Sequence, residues 1–140
     1  MLKRFYLDTS VWRDYFEDRS DGIRPLGEFA SRFLQDCIAC HCTLLYSETV
    51  LYELGRDYSA EKIRELFSPL AESLEFAEIS KEQDREAKSL VPFKRPAHYA
   101  DILHAILARD CKAIMIARDR HFDCLEDIVA VLKPEEVHFE

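Results

Sequence analysis

Glycine is scarce in this chain, with three in 140 residues, and proline is held to five. Loops and turns draw on both, so their scarcity argues against long structureless connections. Long apolar runs are missing as well. None approaches the roughly 18 residues that a bilayer-spanning helix needs, so no membrane segment is expected. Lys3 and Arg4 are not followed by an apolar stretch of signal-peptide length, and a cytoplasmic protein is expected. Positive charge is in deficit: 19 Lys and Arg stand against 27 Asp and Glu, a formal net charge of −8. That balance excludes a globally basic nucleic-acid binder. It leaves room for a local basic rim around an acidic pocket, because cations held there add positive charge of their own.

Cysteine is present but odd in number. Five thiols without a secretion signal read as reduced. The run Cys37-Ile38-Ala39-Cys40-His41-Cys42 contains the C-x-x-C-H string of haem attachment and a dithiol spacing. Haem attachment requires export. Zinc requires a fourth ligand, and Cys111 and Cys124 belong to unrelated segments. The cluster reads first as small buried hydrophobes at a helix-to-strand junction, with zinc or redox chemistry as the remaining readings.

What is present is an ordinary globular balance, 48% hydrophobic and 33% charged. A chain of this length is expected to form one domain over residues 1–140, burying roughly two-thirds of its unfolded surface. Strand and helix patterns alternate along it. Strands are predicted at 3–7, 42–46, 74–79, 113–117 and 129–132. Helices are predicted from Asp8 or Ser10 to about Gly22, from Pro25 through Ile38, from Ser47 or Thr49 through Leu54, from Ser59 to Leu70, from Ser80 to Leu90, and from Ala97 to Asp110. This alternation predicts an α/β fold, a three-layer α/β/α sandwich around a central, mostly parallel sheet.

In such a fold, strand ends and the N-terminal turns of returning helices lie at the same edge, where ligands bind. The rule sorts the acids. Asp8 follows the first strand directly. Glu53 lies in the second turn of the helix after Leu44-Leu45-Tyr46, Asp101 in the first turns of the helix after Pro96, and Asp119 two residues beyond the strand ending at Ala117. Glu53 and Asp101 border apolar stripes, where a carboxylate is costly unless paired or metal-bound. The plainer reading also stands: Asp8 as a helix N-cap and Asp119 as a turn cap.

The residues around these acids resemble the PIN-domain nucleases, VapC-type toxins in particular. The matching segments are Leu7-Asp8-Thr9-Ser10-Val11-Trp12, Ser47 to Leu54 with Glu53, Tyr99-Ala100-Asp101-Ile102-Leu103-His104-Ala105, and Ala117-Arg118-Asp119-Arg120-His121-Phe122. They run in the family's order across nearly the whole chain. Where the family commonly carries Thr or Ser, this chain has Ala117; Glu48 and Asp123 are nearby acids read as peripheral.

Four carboxylates without His or Cys ligands suit a hard cation, Mg²⁺ or Mn²⁺. The resemblance implies a PIN-like fold and a metal-dependent endoribonuclease with Asp8, Glu53, Asp101 and Asp119 as catalytic metal ligands. Ser10 is a candidate to support them, or simply a helix cap. Arg56, Lys94, Arg95, Arg118 and Arg120 are candidates to contact RNA phosphates, or solvated surface charges. The resemblance also implies a homodimer and a small antitoxin partner, for which Trp12, Phe16 and Tyr58 are either interface or core. Two other functions fit an α/β domain with an acid at a strand end. One is a catalytically inactive PIN-like domain that binds RNA or serves in assembly. The other is a phosphoryl-accepting receiver. A haloacid-dehalogenase-type phosphatase is disfavoured, because Ser10 stands where it needs a second Asp.

Overall fold

The computed structural model describes residues 3–139. Five short strands, β1 (Arg4–Leu7), β2 (Thr43–Ser47), β3 (Leu74–Ala77), β4 (Ile114–Ile116) and β5 (Val131–Leu132), make one sheet in the order β3-β2-β1-β4-β5. Every neighbouring pair is parallel. Phe5 stands beside Leu44 on one side and Ile114 on the other. Strands covered on both faces need apolar residues at successive positions; accordingly Phe5, Tyr6, Leu7, Leu44 and Leu45 have no exposed surface.

The strand order determines where a ligand can sit. From central β1 the chain adds β2 and β3 on one side, then crosses back to lay β4 and β5 on the other. The reversal falls between β1 and β4, and at such a switch point the strand ends open a crevice. Asp8 is at that point: its N–H donates to the Ile116 carbonyl at 2.9 Å, holding the ends of β1 and β4 together.

Among the described residues, six α-helices fill the connections: α1 (Thr9–Glu17), α2 (Leu26–Ala39), α3 (Glu48–Leu54), α4 (Ala60–Phe67), α5 (Lys81–Leu90) and α6 (Tyr99–Asp110). Right-handed crossovers put the helices of the outward leg on one face and α5 and α6 on the other. Side-chain capping accounts for half of their starts. Asp8 accepts from the Ser10 N–H, Ser59 from the Lys62 N–H, and Ser80 and Gln83 form a reciprocal capping box. α6 is buried from Ile102 to Ala108 without a break, as an α-helix must be when sheet and α5 both cover it.

The structure departs from the sequence pattern in a few places. α1 stops at Glu17, because Asp18 adopts a left-handed conformation (φ 49°) that ends the helix. The turn brings α2 against that corner: a Cβ on Gly27 would lie 2.4 Å from the Asp18 Cα. β3 is shorter than its alternation suggests. It is an edge strand, so Phe76 is left 44% exposed. Ile38, on the predicted apolar stripe of α2, is also exposed. Trp12 belongs to the core, with its ring 4.9 Å from that of Phe67; Phe16 and Tyr58 are half-buried and pack on the same cluster. Cys37 and Cys42 are buried and all five thiols are free, with burial pushing the Cys37 thiol up.

Candidate functional site

Asp8 caps α1 and also faces the other acids. Its Oδ2 accepts from the Ser10 hydroxyl at 2.5 Å and from the Ser10 N–H at 3.4 Å, and the residue is 7% exposed. Burial raises its pKa above the ordinary carboxylate value, and the charges of Asp101 and Glu53 push the same way, against His104 and Ser10. Two of the other sequence-predicted acids, Asp101 and Glu53, therefore act on Asp8 at the end of β1.

Glu53 reaches this place from the far end of α3. Its Oε1 accepts from the Thr9 hydroxyl and from His104 Nε2, both at 2.8 Å. Burial works against its ionisation, but the hydrogen bond and charge of His104, with Thr9 and Arg56, outweigh it and hold the pKa below the usual value. Asp101, in the first turn of α6, accepts from the His98 N–H at 3.0 Å. Asp119 follows β4 and caps the short 3-10 turn Arg120–Leu125 by accepting from the His121 N–H at 2.9 Å. His121 links these last two, with Nδ1 3.4 Å from Asp119 Oδ1 and 3.9 Å from Asp101 Oδ2.

Among the described residues, no three His, Cys, Asp or Glu side chains stand close enough to enclose a metal ion. The cause is local. Asp101 and Asp119 are turned toward the backbone N–H groups they cap, and Asp119 is 48% exposed at the rim. The donor set still fits Mg²⁺ or Mn²⁺ in kind. All the acid donors are hard oxygens, one carboxylate is buried among like charges, and Mg²⁺ characteristically keeps several waters while taking one or two carboxylates.

The predicted phosphate contacts divide. Arg118 is turned away into a two-point pair with Glu135 (2.6 and 2.7 Å) and lies 5.8 Å from the centre of the Phe29 ring. Its guanidinium is thus held in an ion pair rather than solvated. Lys94 pairs with Asp127 at 2.5 Å. Arg56, Arg95 and Arg120 are exposed and form no ion pair among the described residues. Arg56 lies over the Tyr52 ring at 5.2 Å, and both line a groove of about 410 Å³ whose walls include Glu53. A larger hollow of about 650 Å³, between the end of α1 and the start of α2, contains none of the four acids. Ala117 is buried, and Glu48 and Asp123 are exposed.

Sequence reasoning missed His104, Thr9 and His121 as parts of the site. For His104 the signal was there: it is the one polar residue in the buried run Ile102–Ala108, and it lies one turn after Asp101.

No protein-family model matches the chain, and no curated protein matches it. Among solved structures, a chain of the crystal structure of VapBC2 from Rickettsia felis, bound to a DNA fragment from their promoter, is similar at a TM-score of 0.65. Identity is 14%, over 93% of this chain and 98% of that one. At that identity the likeness is one of architecture. With its central parallel sheet and helices on both faces, this chain has a PIN-like α/β/α fold.

Proposed function

We propose that the chain is a Mg²⁺- or Mn²⁺-dependent endoribonuclease, the toxin of a VapBC-type toxin–antitoxin pair. The observation that carries this reading is Asp8. A buried carboxylate at the topological switch point, its ionisation opposed chiefly by burial and further by the charges of Asp101 and Glu53, is electrostatically unfavourable until a cation joins it. A divalent cation bound there would polarise a phosphodiester and lower the pKa of the attacking water. The protein's part is to hold the ligands. The Ser10 hydroxyl fixes Asp8, Thr9 and His104 fix Glu53, and Asp101 and Asp119 would join them as ligands by turning from the N–H groups they cap. Arg56, Arg95 and Arg120 supply the basic rim that an acidic chain needs to hold RNA.

The partner part of the reading rests on the VapBC2 complex to which this fold is similar. Exposed Tyr52 and Phe93 offer apolar contacts for an antitoxin or for a second copy in a homodimer.

The test is cleavage of single-stranded and hairpin RNA with Mg²⁺ or Mn²⁺ by wild type, Asp8→Asn and Asp101→Asn. Removing a ligand should lower the rate at least 100-fold in each variant, with the fold intact by circular dichroism. Cleavage at the wild-type rate in both variants would overturn the site. A wild type that binds RNA but never cuts it would leave the inactive, RNA-binding reading in its place.

A further inference from the structure

His104 is the sole polar side chain in the buried core of α6, with no exposed surface at all. Its Nδ1 lies 2.7 Å from the Tyr6 hydroxyl, which lies 2.7 Å from the Ser47 hydroxyl; its Nε2 lies 2.8 Å from Glu53 Oε1. Three polar groups in the core thus form one line that starts beneath the sheet edge and ends on a site acid. The direction at the Glu53 end follows from chemistry: a carboxylate can only accept, so Nε2 carries a hydrogen. A neutral imidazole then accepts at Nδ1 from Tyr6, whose oxygen accepts in turn from Ser47, while a charged one donates at both nitrogens; Nε2 donates to Glu53 either way. Burial pushes the Tyr6 hydroxyl far above its ordinary pKa, so it keeps the hydrogen it donates.

Two details tie this line to Glu53 rather than to packing alone. Ser47 occupies the N-cap position of α3, yet makes no capping bond there; its hydroxyl serves Tyr6 instead. Both donors to Glu53, Thr9 and His104, meet the same oxygen, Oε1, while Oε2 accepts no hydrogen bond among the described residues.

We infer that His104 is a positioning residue for Glu53: anchored through Tyr6 and Ser47, it pins Oε1 together with Thr9 and leaves Oε2 as the oxygen that meets the divalent cation. Groups that hold a ligand by its second atom set metal affinity and activity by typically 10–100-fold. The inference rests on the proposed reading of the acids as cation ligands, and adds to it the group that aims one of them.

The test compares wild type with His104→Leu, His104→Gln, Tyr6→Phe and Thr9→Val. Two quantities are measured: the Mn²⁺ concentration that half-saturates the thermal shift, and kcat and KM for a single-stranded RNA. His104→Leu removes the donor and should raise the Mn²⁺ midpoint 10–100-fold and lower kcat comparably, with KM changed less than about threefold. His104→Gln places an amide N–H near the Nε2 position and should recover most of that loss, which a purely packing role would not predict. Thr9→Val and Tyr6→Phe should each raise the midpoint by about 3–10-fold, and they keep the inference testable if His104→Leu fails to fold. A wild type that responds to Mn²⁺, with variants whose midpoints do not move, overturns this inference alone. Equal losses in the Leu and Gln variants overturn the donor role. A wild type with no Mn²⁺ response overturns the nuclease reading, and this inference with it.

Discussion

Asp8 does two things at once that have opposite effects on stability. As an N-cap it accepts from Ser10 and helps start α1, a contribution of about 1 kcal/mol for such residues. As a buried carboxylate beside Glu53 and Asp101 it resists ionisation, and its raised pKa means that the folded state binds its proton more tightly than the unfolded chain does. Its contribution is therefore fullest below the ordinary value of 3.8 and is lost as pH rises through the raised one. Asp8→Asn keeps an oxygen for the cap and removes the charge. In buffer free of divalent cations at neutral pH, that variant should be more stable than wild type by on the order of 1 kcal/mol, about 3 °C in Tm. The advantage should shrink as pH falls toward 3.8, and scanning calorimetry across pH would check both the sign and the trend. At this scale the sequence was informative where a residue broke a local pattern. Asp8 ended an apolar strand and Glu53 bordered an apolar stripe, so both were visible. The bonds between Tyr6, His104 and Ser47 were not, because they join residues 41 and 98 positions apart. Position at an edge likewise does not say which way a carboxylate turns: Asp101 and Asp119 are turned toward N–H groups they cap.

The elements themselves were legible because sheet and helix leave different periods in the sequence. β1, β2 and β4 are short apolar runs, α4 and α5 begin with capping serines, and the order of strands and helices followed from those signs. Ends were harder to read. The helical pattern of α1 runs past its end because nothing in Asp18-Arg19-Ser20 forbids a further turn; what ends it is the left-handed Asp18 and the close approach of α2. That corner can be tested through Gly27. A methyl group there would meet the Asp18 backbone at 2.4 Å, and backbone cannot step aside as a flexible side-chain tip can. Gly27→Ala should therefore destabilise the protein by about 1–3 kcal/mol, as overpacking commonly does, despite the better helix propensity of alanine. A urea titration should show a lower midpoint with an unchanged slope, the signature of lost native-state stability rather than a changed unfolded state. An unchanged or raised midpoint would mean that the two helices part there at no cost.

Across the whole molecule the acidic balance, −8, sets a condition on any polyanionic substrate. RNA approaching the strand edge meets the site acids first, and only a cation and a basic rim make that approach favourable. Of the basic residues considered for that rim, Arg118 and Lys94 are tied to Glu135 and Asp127, which leaves Arg56, Arg95 and Arg120. Each phosphate contact to single-stranded nucleic acid adds about 0.7 to the slope of log affinity against log salt concentration. Three such contacts predict a slope shallower by about 2 when Arg56, Arg95 and Arg120 are all changed to Ala. The measurement is salt-dependent binding of a single-stranded RNA oligonucleotide, in the Asp8→Asn background so that the RNA stays whole. Arg64→Ala is the control, because Arg64 lies in the last turn of α4 and a returning helix ends at the opposite edge of the sheet. The control should leave the slope unchanged and the triple variant should flatten it. If both slopes match that of the Asp8→Asn parent, RNA does not cross this rim, and the acids at the end of β1 serve some other phosphate or none.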